Sequence, residues 1–217
     1  MVENERALSP PSDRGEAMAR AWANLTTAGP TLNAGERLAV IATARRAWAS
    51  APGAGHIGGG HSADGYGSPL EDAAFWLAKD AGGLTGEVVD QLEQRGLDRY
   101  RYLETVGVVA RLASLDFYAR GVGAALLPPP PDDGSSPSGE VHPDAAITDG
   151  WVPATGPLFA PASLDALPAE GLALRDVHEA MYMPMAAMGD PAFVDVLTRA
   201  QIEFIAARTS FLNECFY

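Results

Sequence analysis

Three observations predict an all-α protein. Apolar residues recur at three- and four-residue spacing along most of the chain, which is the helical period. Two segments open with a capping-box pattern, Asn33 with Glu36 and Thr198 with Gln201. No stretch reads as a strand. The 217 residues and 22.7 kDa are enough for one large domain or two small halves, each with its own core.

The elements follow in chain order. Arg14 to Thr27 has the pattern of a helix that ends near Gly29 and Pro30. Asn33 to Ser50 is a stronger helix, with Leu38, Ile41, Ala42 and Trp48 on one face. A glycine-rich loop runs from Ala51 to Pro69, and Leu70 to Asp80 is a short amphipathic helix. Thr85 caps a helix from Gly86 to Arg95 that stops at Gly96. Asp98 to Gly121 is the longest element, with Leu103, Val106, Ala110, Ala113 and Phe117 as its core stripe. Pro128 to Pro143 opens with four consecutive prolines and cannot hold a helix. Ala145 to Gly171 is irregular, Leu172 to Met183 is helical until Pro184, and a final helix starts beyond Thr198.

Charge and composition narrow the function. Asp and Glu number 28 against 15 Lys and Arg, a net charge of −13, and no basic cluster relieves it. Such a chain repels phosphate backbones, so nucleic acid is excluded as a partner. Met1 to Glu16 carries charges and prolines where a signal peptide needs an apolar run. No uncharged stretch is long enough to cross a membrane. The single cysteine, Cys215, excludes a disulfide framework within the chain. The expectation is a cytoplasmic protein.

The two box-capped helices also resemble each other. Leu32 to Glu36 parallels Leu197 to Gln201 at a separation of 165 in cap, box and preceding leucine. The apolar faces match at 164, pairing Leu38 with Ile202 and Ile41 with Ile205. Either register leaves a non-thiol residue, Ser50 or Ala51, opposite Cys215.

The segment from Ile202 to Tyr217, IEFIAARTSFLNECFY, is the most specific in the chain. It resembles the alkylhydroperoxidase AhpD-like, carboxymuconolactone decarboxylase superfamily, whose motif is Glu, eleven residues, Cys-x-x-Cys, and His four positions later. Glu203 lies twelve positions before Cys215, as that motif requires, and Ala81 to Gly121 is similar to the helices that follow the motif position. The resemblance covers about residues 32–121 and 190–217. It implies an AhpD-like helical bundle in tandem form: an N-terminal extension over 1–30, a first half without catalytic cysteines over 31–126, a linker over 127–171, and a second half beginning at 172–217 that is cut at the redox motif.

In that family the second cysteine is thought to attack the peroxide, the first resolves the sulfenic acid as a disulfide, and Glu and His relay protons. The resemblance therefore assigns Cys215 as the resolving thiol and Glu203 as a relay carboxylate. It implies a hydroperoxide substrate, a thiol reductant, a homo-oligomer, and no metal or organic cofactor. The second cysteine and the histidine are missing from the 217 residues, so an incomplete or inactive member is expected. Two alternatives stand beside it: a non-catalytic helical oligomerisation protein of the same family, and a thiol-independent decarboxylase-like enzyme. Taken alone, Cys215 is an ordinary small hydrophobe and Glu203 an ordinary helix-surface carboxylate.

Other motifs carry less. Gly53 to Gly58 fits G-x-G-x-x-G, but it follows a capped helix rather than a strand and reads as a loop. His56, His61 and Asp64 have metal-ligand chemistry on a glycine-rich segment without rigidity, and are read as solvated. His178-Glu179 lacks the second histidine of a zincin signature. Met181, Met183, Met185 and Met188 read as core filler around Pro184. Arg111 and Asp116 are five apart, poorly placed to pair with each other, and are expected to bridge to neighbouring helices or another subunit.

Overall fold

The computed structural model describes residues 12–50, 67–148, 150–157 and 160–213. Seven α-helices occupy these residues: α1 Ser12–Leu25, α2 Ala34–Ala49, α3 Pro69–Asp80, α4 Gly86–Gln94, α5 Arg99–Gly121, α6 Pro168–Met181 and α7 Arg199–Leu212. The described residues hold only two isolated antiparallel bridges, Ala146 with Ala154 and Val194 with Thr198. The chain is all-α.

Helix starts follow local chemistry. Asn33 Oδ1 accepts from the Glu36 amide at 2.8 Å, and Glu36 Oε2 accepts from the Asn33 amide at 2.9 Å. The same reciprocal arrangement joins Thr198 to Gln201. A third box, Ser68 with Glu71, starts α3 one residue before the expected Leu70, with Pro69 in the first turn where its missing N–H costs nothing. Asp98 accepts from the amides of Tyr100 and Arg101 and begins α5. Gly96, at φ +100°, turns the chain out of α4 and into that cap.

Helix α5 is the axis of the bundle. It packs against α1, α2, α3 and α6, while α2 lies most extensively on α3. Being enclosed by four helices, α5 has no single apolar stripe. Leu103 of the expected stripe is buried, but Ala110 and Phe117 are exposed, and the buried set includes Val108, Val109, Leu112, Leu115, Glu104 and Arg111. The face of α2 is likewise turned from expectation. Ile41 is buried, Ala42 is exposed, and Arg37, Val40, Ala44 and Ala47 point inward. Arg37 shifts the face, because its buried charge is met by carboxylates from α5 and α6.

The proline-rich segment after α5 is irregular but tied down. Ser135 accepts from the Ala34 amide through its carbonyl and from the Ala28 amide through its hydroxyl. The amides of Ser138 and Gly139 donate to the carbonyls of Gly29 and Pro30, at 3.0 and 2.8 Å. Helix α6 then returns across α1 and α5, with Asp176 held by Arg20 through two hydrogen bonds of 3.1 and 2.8 Å.

The core is consequently centred on α5. Leu112→Ala is expected to lower unfolding free energy by about 2–5 kcal/mol, whereas Leu172→Ala on the outer face of α6 changes it by less than about 0.5 kcal/mol. Chemical denaturation of the two variants checks this difference.

Candidate functional site

Two constellations stand out, one sealed and one open. The sealed one gathers two arginines and two glutamates at the centre of the bundle. Arg37 of α2, Glu104 and Arg111 of α5, and Glu170 of α6 are all fully buried. Glu170 accepts from Arg37 on one oxygen and from Arg111 on the other. Arg37 Nε donates to Glu104 Oε1 at 2.7 Å, and Glu104 Oε2 accepts from the amide and hydroxyl of Thr31 and the amide of Leu32. Asn24 of α1 closes the set, its carbonyl taking Arg37 Nη1 at 2.8 Å and its side-chain oxygen taking Arg111.

The cluster is formally neutral and densely hydrogen-bonded, which is what makes buried charge tolerable. Burial nevertheless pulls the Arg111 guanidinium below its ordinary pKa, against the attraction of Glu170. Two glycines make room for it. A methyl at Gly29 would fall 1.8 Å from Arg37 Nη2, and one at Gly107 would fall 2.8 Å from Glu170 Oε2. With every carboxylate engaged and the side chains sealed from solvent, this cluster is a structural clamp.

The open constellation lies along α7. Glu203 Oε1 accepts from Arg199 Nε at 2.7 Å and from the Tyr182 hydroxyl at 3.0 Å. Arg199 is itself anchored by the carbonyls of Ala187 and Met188. Burial, and then the bond to the Glu203 carboxylate, raise the Tyr182 phenol above its ordinary pKa. Beside this hydrogen-bonded trio is a groove of about 680 Å³ between α1, the end of α6 and α7. Its walls are mostly apolar, with Met181, Leu197, Ile202, Ile205 and Ala206 among them. At the rim Arg14 and Asp195 form an ion pair of 2.9 Å.

With this geometry in view, comparison with known proteins adds no identity. No protein-family model matches the chain, and no curated protein or solved structure matches it either. What the chain can do rests on its own residues.

Of the two expected site residues, Glu203 is half exposed on α7, and the structure adds Arg199 and Tyr182 as its partners. The spacing of Arg199 and Glu203, four apart on one helix, was a usable signal for the first. Tyr182 comes from another element and had none. Cys215 lies outside the described residues, as do the Gly53–Gly58 pattern and His56, His61 and Asp64. Arg111 and Asp116 do bridge to neighbouring helices: Arg111 to Glu170, and Asp116 to Arg45 of α2 through bonds of 2.7 and 2.8 Å. Met183 is buried in the core, while Met181 both packs on the core and lines the groove. Among the described residues no cluster of three or more His, Cys, Asp or Glu could hold a metal. No helix among them is long and apolar enough to cross a membrane.

A second cleft, of about 460 Å³, lies at the N-termini of α2 and α3 and is lined by Arg95 and Arg101. Its anion-binding capacity is already used. Arg101 pairs with Glu36, Arg95 pairs with Asp72, and the capping glutamates occupy both helix starts.

Glu170→Gln leaves one buried arginine charge uncompensated and is expected to cost about 3–5 kcal/mol of stability. Hydrogen exchange should show α6 losing protection first, since Glu170 is the only α6 member of the clamp.

His178, whose ring stacks edge-on to Tyr182 at 5.2 Å, titrates below an ordinary histidine because burial disfavours its charged form, partly offset by Glu179. The unfolded chain therefore takes up this proton at a higher pH than the folded one. The His178 contribution is full above about pH 6.5 and is lost as pH falls towards the lower folded value. Urea midpoints at about pH 7.5 and about pH 5.5 should differ less in His178→Gln than in the parent chain.

Proposed function

We propose that this chain carries the resolving-thiol portion of an alkylhydroperoxidase-like oxidoreductase, with Cys215 as the resolving thiol and Glu203 as the proton-relay carboxylate. One observation carries the reading. Glu203 is fixed on α7 by Arg199 and Tyr182, on a helix that runs to Leu212, and it precedes Cys215 by the twelve positions the motif requires. A carboxylate held by two donors is oriented before substrate arrives, and the Tyr182 hydroxyl adds an exchangeable proton to the relay.

The chemistry is a two-electron reduction. A thiolate attacks the distal peroxide oxygen, the O–O bond breaks, and the alkoxide leaves with a proton relayed by Glu203. The sulfenic acid formed is then attacked by the Cys215 thiolate, giving a disulfide and water. An external dithiol supplies the two electrons that reopen the disulfide, which suits a reducing, cytoplasmic setting. In the family pattern the attacking residue lies three positions after Cys215.

The test compares peroxide consumption, driven by a dithiol, in the 217-residue chain and in a chain extended through the full motif. The extended chain is expected to turn over and the 217-residue chain to lag far behind. Glu203→Gln in the extended chain should slow turnover about 10²-fold, and Cys215→Ser should stop it after a single turnover. Failure of the extended chain to consume peroxide would overturn the proposal.

A further inference from the structure

Four of the chain's six methionines, Met181, Met183, Met185 and Met188, fall within eight residues. Packing accounts for part of this. Met183 is buried and Met181 lies partly on the core, but Met185 and Met188 are half-buried and belong to neither apolar cluster. Leucine would fill the same space while losing less side-chain freedom on folding. The thioether is therefore the property to explain.

The backbone gathers these side chains. His178 and Met181, three apart in the last turn of α6, share a face with Cβ atoms about 5–6 Å apart. Met183 folds back on the same turn, its amide donating to the His178 carbonyl at 3.3 Å. Pro184 then leads into a 3₁₀ turn over Met185–Ala187, closed by the Met188 amide on the Met185 carbonyl at 3.2 Å. Residues three apart eclipse in that geometry, so Met185 and Met188 share one side. Glu179 holds the turn against α6, its Oε1 accepting from the Met185 amide at 3.3 Å. Arg199 of α7 pins the other end through the Ala187 and Met188 carbonyls, and its own charge is met by Glu203. An independent observation joins these. His178 Nδ1 is buried with no hydrogen-bond partner among the described residues. Burial also holds the ring below the usual histidine pKa, so it is neutral at pH 7 with a lone pair to donate.

We propose that the thioethers of Met181, Met183, Met185 and Met188, together with the imidazole of His178, form a binding site for one copper(I) ion. The donor set selects the metal. Thioethers are soft and uncharged, which suits a monovalent d¹⁰ ion and leaves a hard divalent cation without compensation. Zinc, calcium and magnesium have no alternative here, because no group of three or more His, Cys, Asp or Glu among the described residues could hold a metal. Methionine side chains are unbranched and adaptable, so the half-buried ones can close on the ion without moving the helices. The net charge of −13 favours the approach of any cation.

The test uses the full chain as Cys215→Ser, which removes the one thiolate that would compete for the metal. Copper(I) is added without oxygen as its acetonitrile complex, and the methionine methyl groups are followed by NMR. Four of the six methyl resonances are expected to shift and to stop shifting at one equivalent, with Met1 and Met18 unmoved. Met185→Leu and Met188→Leu should each weaken binding at least ~10-fold while leaving helical content and thermal midpoint unchanged, and His178→Gln should weaken it as well. Zinc(II) should shift none of the four. Absence of a methyl shift at about 100 μM chain and excess copper(I) overturns the proposal. So does an equal response to zinc(II), or a titration that the Met185→Leu, Met188→Leu double variant leaves unchanged. The proposed peroxide chemistry needs Cys215 and this site does not, so the two fail separately.

Discussion

The carboxylate of Glu170 sits between the guanidinium groups of Arg37 and Arg111, and none of the three keeps any contact with solvent. Taking four charges out of water costs several kcal/mol for each, and only complete pairing offsets it. The surrounding structure is arranged to meet that demand. Asn24 brings in α1, Thr31 and Leu32 supply the amides that satisfy Glu104, and Gly29 and Gly107 hold the backbone close enough for the arginines to fit. Removing one partner strands its neighbours, so the clamp acts as a unit across α1, α2, α5 and α6. Hydrophobic burial around Leu112 and Val108 supplies the bulk of the driving force, while the clamp fixes which helix faces meet.

That fixing reaches the open side of the molecule. Because Glu170 sets how α6 lies on α5, it sets where α6 ends, and so where Tyr182 and Met181 stand. Tyr182 in turn holds Glu203, and Met181 lines the groove beside α7. The sealed cluster and the exposed helix are thus linked through one helix rather than through a shared cavity. The central charges are all committed to one another, and among the described residues α7 is the helix left with free faces.

Sequence legibility divides along the same line. Capping boxes are read within four residues, so the starts of α2 and α7 agree with expectation to within a residue, as does the Gly96 stop. The third box is masked in the sequence because Ser68 stands next to a glycine-rich stretch that reads as loop. The faces were harder. On α2 the apolar pattern puts Ala42 inward, where the structure exposes it and buries Arg37, and on α5 it puts Phe117 in the core, where the structure exposes it. A hydrophobic period has one solution for a helix with one buried side, but α5 is enclosed by four helices and α2 buries a charge. Glu104 and Arg111 are seven apart on α5, a spacing that puts them on one face, yet nothing local says that the face is sealed.

What the sequence determined by itself is therefore short-range: the all-α class, the helix starts and stops, the Glu203-to-Cys215 spacing and the acidic balance. Each depends on residues a few positions apart, or on a sum over the chain. What only the tertiary structure decided is which charges are buried and which apolar residues are left out. Arg37, Glu104, Arg111 and Glu170 meet across as many as 133 residues of chain, and their low cost exists only in one another's presence. Ile202, Ile205 and Ala206 have the pattern of a core face and stand open because no helix among the described residues covers them. Burial is a property of neighbours, and neighbours distant in sequence are supplied by the fold.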